Sequence, residues 1–263
     1  MPAVSASGDP NLMSQAALIV EQDSGRILYS KNDGAVQPIA SLTKLMTALV
    51  VLESGLPLDE SITITDEDVD LLRNTRSRLA VGTELTRADL LKLALMASEN
   101  RAASALGRSY PGGIGAFVAQ MNRHAQMLGL TSTRFADSSG LDSGNVSTAR
   151  ELAVIAQTAY QHPIIRAYTT TPSMTVLLPI RGRTVQFVNT NVLVRQGEWD
   201  IGLSKTGFIN ESGRCLVMQA RINDKPLLMV LLDSVGRYTR IGDATRVRKW
   251  FEGRDRTIVG DAS

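Results

Sequence analysis

A hydroxyl and an amine stand three residues apart in the stretch PIASLTKLMTALVVLESG (Pro38 to Gly55): Ser41 and Lys44. Residues at this spacing on a helix are neighbours, so Ser41 Oγ and Lys44 Nζ can meet across one turn. A serine beside an unprotonated lysine is a nucleophile with its base. A serine that opens a helix also has free backbone N–H groups and the positive dipole end at hand for an oxyanion. The stretch is apolar nearly all the way round, and dry surroundings penalise an ammonium. Neutrality near pH 7 requires a shift of about three units, or ~4 kcal/mol, and a second cation nearby supplies part of it. Taken alone, the pair reads first as an N-capping serine and a lysine that snorkels to water, and further partners are needed to make it a nucleophile and base.

Other chemistries lack their residues. His124 and His162 are the only histidines, isolated and read as satisfied surface or core groups; there is no H-E-x-x-H, and the G-x-S-x-G usual in elbow-type serine hydrolases is absent. Ser204-Lys205-Thr206 is not a phosphate loop, because no Gly precedes the lysine and a strand pattern continues after it. The single cysteine, Cys215, excludes an internal disulfide and a Cys-rich metal site, and its apolar run CLVMQA reads it as a buried structural thiol. No metal and no cofactor is expected. Of the 28 basic residues only six are lysines. Arginine stays protonated where lysine can act as a base, so the lysine positions stand out. Two short motifs then add groups: Ser98-Glu99-Asn100 within MASENRAA, and Lys205-Thr206-Gly207 on a strand candidate, where Gly207 allows a ligand backbone to approach closely.

The elements that must position these groups follow from periodicity. AALIVE (16–21) and ILYSK (27–31) flank Asp23-Ser24-Gly25 as a hairpin, and the Ser41–Lys44 helix follows. SITIT (61–65) is a short strand; Thr86-Arg87-Ala88-Asp89 is a capping box opening the helix LLKLALMA; further helices are expected at 99–107, 113–128 and 148–160. From about residue 173 the period changes to short β-rich runs separated by turns. SMTVLLP, TVQFV, LSKTGFI, RCLVMQARI and KPLLMVLL read as consecutive antiparallel strands, and 238–252 as a closing helix. Strands from both ends must then share one sheet, with the helical block inserted between them. The expected class is α/β (α+β): a single domain with an α/β lobe (14–65 plus 165–253), a helical lobe (66–164), and flexible ends at 1–13 and 254–263.

The 263 residues, 43% hydrophobic, suffice for one large core, and 28 basic against 26 acidic residues, interspersed, argue against nucleic acid as the partner. The basic cluster Arg246, Arg248, Lys249 reads as the solvated face of the last helix. No run of eighteen apolar residues exists, so no transmembrane segment is expected, and residues 1–12 lack the apolar core of a secretory signal.

S-x-x-K, S-x-N and K-T-G, in this order and with a helical block between the first and third, resemble the signature of penicillin-binding proteins and serine β-lactamases. PIASLTKLMTALVVLE, LALMASENRAASALG, the segment from Thr133 to Leu141, Ser147-Thr148-Ala149 and KTGFINESGRCLVMQA are similar to the low-molecular-mass D,D-peptidases, over roughly residues 16–252. Among these the S-E-N and the K-T-G-F followed by N-x-x-G-x-C-L-V-M most resemble the penicillin-binding protein 7/8 endopeptidases. The resemblance implies a β-lactamase/transpeptidase-like fold, an antiparallel sheet flanked by helices. It also implies the branch without an extra C-terminal β-domain.

The same resemblance implies the roles. Ser41 attacks a D-alanine carbonyl and forms an acyl-enzyme, Lys44 takes its proton, Ser98 relays a proton to the leaving amine, and Asn100 binds the substrate amide and holds Lys44. Lys205 is the second cation that lowers the Lys44 pKa and attracts the substrate. Thr206 offers a hydroxyl, the backbone N–H groups of Ser41 and Phe208 form the oxyanion hole, and Arg240 stands where relatives bind the substrate carboxylate. Glu99 is expected to point away in a structural role. The implied partners are peptidoglycan peptide stems and cross-links, with β-lactams as covalent inhibitors and other cell-wall enzymes left open; the implied location is the periplasm. The leading expectation is a penicillin-sensitive endopeptidase of D-Ala to meso-diaminopimelate cross-bridges. The alternatives are a D,D-carboxypeptidase, then a β-lactamase or a non-catalytic binder. No E-x-x-L-N segment lies between the second and third motifs, which argues against a β-lactamase.

Overall fold

A computed structural model describes residues 8–178 and 182–260. Strands β1 (Ala16–Glu21) and β2 (Arg26–Lys31) form the expected hairpin, with Gly25 at φ +68° in its turn. After β3 (Gln37–Pro38) come a 3-10 turn (Ala40–Thr43) and helix α1 (Lys44–Glu53). Strand β4 (Ser61–Thr63), a second 3-10 turn (Asp66–Asp68) and β5 (Glu84–Thr86) lead into α2 (Arg87–Met96), α3 (Asn100–Arg108) and α4 (Gly113–Met127). Next are β6 (Val146–Ser147), α5 (Ala149–Gln161) and α6 (Pro163–Thr169). The hairpin β7 (Ser173–Leu178) and β8 (Arg183–Val188) and the short α7 (Val192–Gln196) precede three ten-residue strands, β9 (Asp200–Ile209), β10 (Gly213–Ile222) and β11 (Lys225–Ser234). Helix α8 (Thr239–Gly260) closes the chain.

The two ends of the chain meet in one antiparallel sheet of order β2-β1-β11-β10-β9, with Ala16 opposite Leu232 and Glu21 opposite Leu227. Successive side chains of a strand point to opposite faces, and the two-residue period divides the core accordingly. Ala17, Ile19, Leu216, Met218, Met229 and Leu231 pack with Ala244, Val247 and Phe251 of α8. Ala16, Leu18, Cys215, Val217, Val230 and Leu232 pack with the helical block on the other face. Helix α5 lies directly against β1, β9, β10 and β11, while α1 runs among α2, α3, α4 and α5. Residues Lys44 to Val51 of α1 are all buried, so this helix has no wet side. β9 is the edge strand of the sheet, and the 3-10 turn before α1 packs against it.

Three expectations change. The opening stretch is not one helix, because Ala40 takes a left-handed φ of +47° and only a 3-10 turn forms before α1. Ser41 therefore sits inside that turn, and Thr43 occupies the helix N-cap with no side-chain cap. The strands β7 and β8 pair only with each other, outside the main sheet. They bury one face (Val176, Leu178, Phe187) and leave Leu177 and Val188 exposed. The last helix runs to Gly260 rather than ending at 252, and α6, with Pro163 at its first turn, was not foreseen. At Thr86 the side chain accepts from Asp89 N, the first of the two bonds of the expected capping box.

Candidate active site

The turn that carries Ser41 is held by two glycines from distant segments. A Cβ on Gly140 would stand 2.0 Å from Ala40 O and 2.8 Å from Ser41 N, and one on Gly207 3.0 Å from Ile39 O and 3.2 Å from Ser41 N. Gly207, expected to admit a ligand, lines the cavity, and its missing side chain also admits the backbone of the serine turn. Thr43 Oγ1 donates to Ala40 O (2.8 Å), bracing the same turn from inside.

Lys44 is fully buried one turn on, and its Nζ donates to Ser41 Oγ (2.8 Å), Asn100 Oδ1 (2.8 Å) and Ser139 O (2.6 Å). Three bonds satisfy an ammonium and aim it. The Ser139 carbonyl is presented by Asp137, whose carboxylate accepts from the backbone N–H of Ser139, Gly140 and Asp142 and so ties the loop down. Asn100 is in turn oriented by its own Nδ2, which donates to Thr75 Oγ1 (3.1 Å).

Ser98 lies between α2 and α3 at φ +56°, a conformation that turns the chain sharply between two helices. Glu99 caps α3, its Oε1 accepting from Arg101 N (3.2 Å) and Ser77 Oγ (2.6 Å), which is the structural role expected for it. From the opposite wall, β9 buries Lys205, whose Nζ donates to Ser98 Oγ (2.9 Å) and Thr206 O (2.9 Å). Thr206 Oγ1 donates to Thr190 Oγ1 (2.7 Å).

Between the walls lies a cavity of about 450 Å³ lined by Ser41, Ser98, Asn100, Thr206, Gly207, Phe208 and Arg240. Lys44 and Lys205 lie beneath it. All nine residues singled out in the sequence are therefore brought together. Arg73, Thr75, Leu141 and Thr190 also line the cavity and were missed. Arg73 spans the cleft, its guanidinium donating to Leu141 O and pairing with Glu211 at 2.9 Å. All four arrive through loops, and only Leu141 lies in a stretch that the resemblance covers, the segment from Thr133 to Leu141. Among the described residues no carboxylate lines the cavity.

Burial is the first cause that lowers the Lys44 pKa, to about 8, against the opposing pull of Asp137 and Glu99. Lys205 is held well below its usual value by burial first, then by the charges of Lys44 and Arg240. Desolvation of a side chain sealed under the cavity is the main cause, as the dry stretch implied, and the mutual repulsion of Lys44 and Lys205 acts on the pair beside it. A buried amine that is neutral at accessible pH, 2.8 Å from a hydroxyl at the cavity floor, can take that hydroxyl's proton as it attacks. Arg240, two of whose guanidinium nitrogens are buried without a partner, is lowered by burial and by Arg214.

A family model described as D-alanyl-D-alanine carboxypeptidase matches residues 3–236. The chain is 46% identical to a D-alanyl-D-alanine endopeptidase of Pseudomonas aeruginosa, over 99% of this chain and 87% of that protein. Its fold matches the crystal structure of a Streptomyces DD-transpeptidase with a TM-score of 0.85 at 30% identity, covering 92% of this chain and 98% of that one. A penicillin-binding protein of Listeria monocytogenes, solved in its ampicillin-bound form, matches with a TM-score of 0.78 at 31% identity, covering 93% and 99%. With the serine–lysine pair, the S-x-N hinge and the K-T-G strand set in this fold, the chain belongs to the D-alanyl-D-alanine carboxypeptidase family of serine peptidases.

Proposed function

We propose that the chain is a penicillin-sensitive serine D,D-peptidase that hydrolyses D-Ala to meso-diaminopimelate cross-bridges of peptidoglycan, on the periplasmic side of the cytoplasmic membrane. The observation that carries the reading is the sealed Lys44 ammonium 2.8 Å from Ser41 Oγ. Neutral Lys44 removes the Ser41 proton as Oγ bonds to the D-alanine carbonyl carbon. The backbone N–H groups of Ser41 and Phe208 receive the oxyanion. As the C–N bond breaks, Ser98, linked to Lys205, passes a proton to the leaving amine, and water then hydrolyses the ester. Asn100 holds Lys44 and faces the substrate amide, and Thr206 with Arg240 binds the carboxylate beside the leaving amine. No helix among the described residues is long and apolar enough to cross a membrane.

A penicillin acylates the same serine, but its amine stays tethered. Among the described residues no carboxylate lines the cavity to activate water against that ester. Carboxypeptidase action on pentapeptide stems is the second reading, favoured by the family description. Incubation with purified muropeptides and separation by mass decides between them: cross-linked dimers are expected to fall to monomers. Loss of a single terminal alanine with dimers intact overturns the endopeptidase reading.

Because Lys44 must be neutral to act, Ser41 acylation by a fluorescent penicillin is expected to rise with pH through about 8. Glu99→Gln keeps an oxygen to accept from Ser77 and Arg101 but removes a charge that raises the Lys44 pKa. Its acylation profile should therefore rise at lower pH than the wild type. Stopped-flow acylation over about pH 6 to 10 checks this, and an unmoved or upward-shifted midpoint contradicts it.

A further inference from the structure

Beyond Arg240 the cleft opens into a second cavity of about 190 Å³, which shares Thr190 and Arg240 with the first. Arg195, Arg214 and Arg237 complete its cationic wall, and no acidic residue lines it. Other buried or half-buried arginines pair with carboxylates, as Arg108 with Asp68 and Arg87 with Glu60. Among the described residues none of these four has a carboxylate within salt-bridge distance. Arg214 lies over the Phe208 ring (4.3 Å to the centroid), Arg237 faces Tyr238 (5.4 Å), and one Arg195 nitrogen donates to Asn189 O (2.5 Å). Arg240 Nε and Nη1 are buried with no hydrogen-bond partner. Four like charges around one space repel one another, and a guanidinium without an acceptor keeps a desolvation cost. An anion in the cavity removes both penalties, and the planar forks of arginine suit a carboxylate.

We propose that this four-arginine cavity is a second carboxylate subsite for the strand that leaves when a cross-link is cut. The inference rests on the D,D-peptidase reading and deepens it. The leaving group of a carboxypeptidase is free D-alanine, whose one carboxylate is met by Thr206 and Arg240. The leaving group of a cross-link is a diaminopimelate residue within a peptide strand, which carries further carboxylates beyond the one beside its amine. With the first carboxylate at Arg240, a second reaches the cavity that Arg240 also walls. Arg195, Arg214 and Arg237 thereby select cross-links over stems.

Arg195 and Arg237 are exposed at the mouth, so the double variant Arg195→Gln/Arg237→Gln is expected to fold. Its KM for a cross-linked dimer should rise about tenfold with kcat within about twofold, and the wild-type KM, unlike the variant's, should climb with added salt. Hydrolysis of pentapeptide and acylation by fluorescent penicillin should stay within about twofold. An unchanged dimer KM, or an equal fall with dimer and pentapeptide, overturns the subsite. A binding assay separates this outcome from failure of the activity itself. A carboxylate-bearing muropeptide monomer should slow penicillin acylation of the wild type more than of the double variant, and its fully amidated form should lose that difference. If the wild type cuts no dimers, the endopeptidase reading fails, and this competition decides the subsite alone: no difference between the proteins overturns it.

Discussion

Lys44→Arg is expected to slow acylation of Ser41 by a fluorescent penicillin about a thousandfold, the middle of the range for loss of a general base. The substitution keeps the positive charge and hydrogen-bonding capacity but removes the ability to be neutral, since a guanidinium does not deprotonate in proteins. The wild-type lysine, lowered to about 8 by burial, is neutral in roughly a tenth of molecules at pH 7, enough to draw a base from a rapid equilibrium. Arginine also has to fit a site where Nζ meets Ser41 Oγ, Asn100 Oδ1 and Ser139 O within 2.6–2.8 Å. Thermal melts distinguish the two consequences, because loss of the base alone leaves Tm near the wild type. If a folded Lys44→Arg protein is acylated within tenfold of the wild-type rate, Lys44 is not the base and the mechanism is wrong.

Gly140→Ala should damage fold and site together. Its φ of +83° disfavours any side chain, and the new Cβ would stand 2.0 Å from Ala40 O and 2.4 Å from Ala40 C. Those atoms belong to backbone, and they precede the nucleophile. The peptide between Ala40 and Ser41 has to move away, taking Ser41 N from Gly207 and Ser41 Oγ from Lys44. A loss of at least about 3 kcal/mol is expected, a fall in Tm of about 6–12 °C, together with near-complete loss of penicillin labelling. Gly115→Ala is the control: it lies within α4, a Cβ there meets nothing within 4 Å, and its effect should be neutral or stabilising. A Gly140→Ala protein that melts and labels like the wild type would show that the serine turn tolerates displacement and that the clasp carries no function.

The position of Phe208 illustrates what lay within reach of sequence reasoning and what did not. Its place after K-T-G on a strand was legible from the β-rich run LSKTGFI, and in the fold it stands opposite Arg214 of β10. That the Arg214 guanidinium then covers the Phe208 ring, on the way to a second cationic cavity, was not, since Arg195 and Arg237 reach it from a short helix and a loop with no shared period.

By itself the sequence determined the order of elements, the sheet built from both ends of the chain, and which side chains are the candidates for the reacting groups. These are written locally: three residues from Ser41 to Lys44, short β-rich runs parted by turn residues from β9 to β11, and short motifs that keep their meaning wherever they fold. Only the tertiary structure decided how those groups become reactive. The Lys44 pKa falls because α1 is sealed on every side, and its third partner is a carbonyl 95 residues away, that of Ser139. Ser41 is presented by a 3-10 turn because Ala40 turns left-handed between Gly140 and Gly207. Burial and clasping depend on segments far apart in the chain, and no local pattern records which distant backbone will close over a side chain.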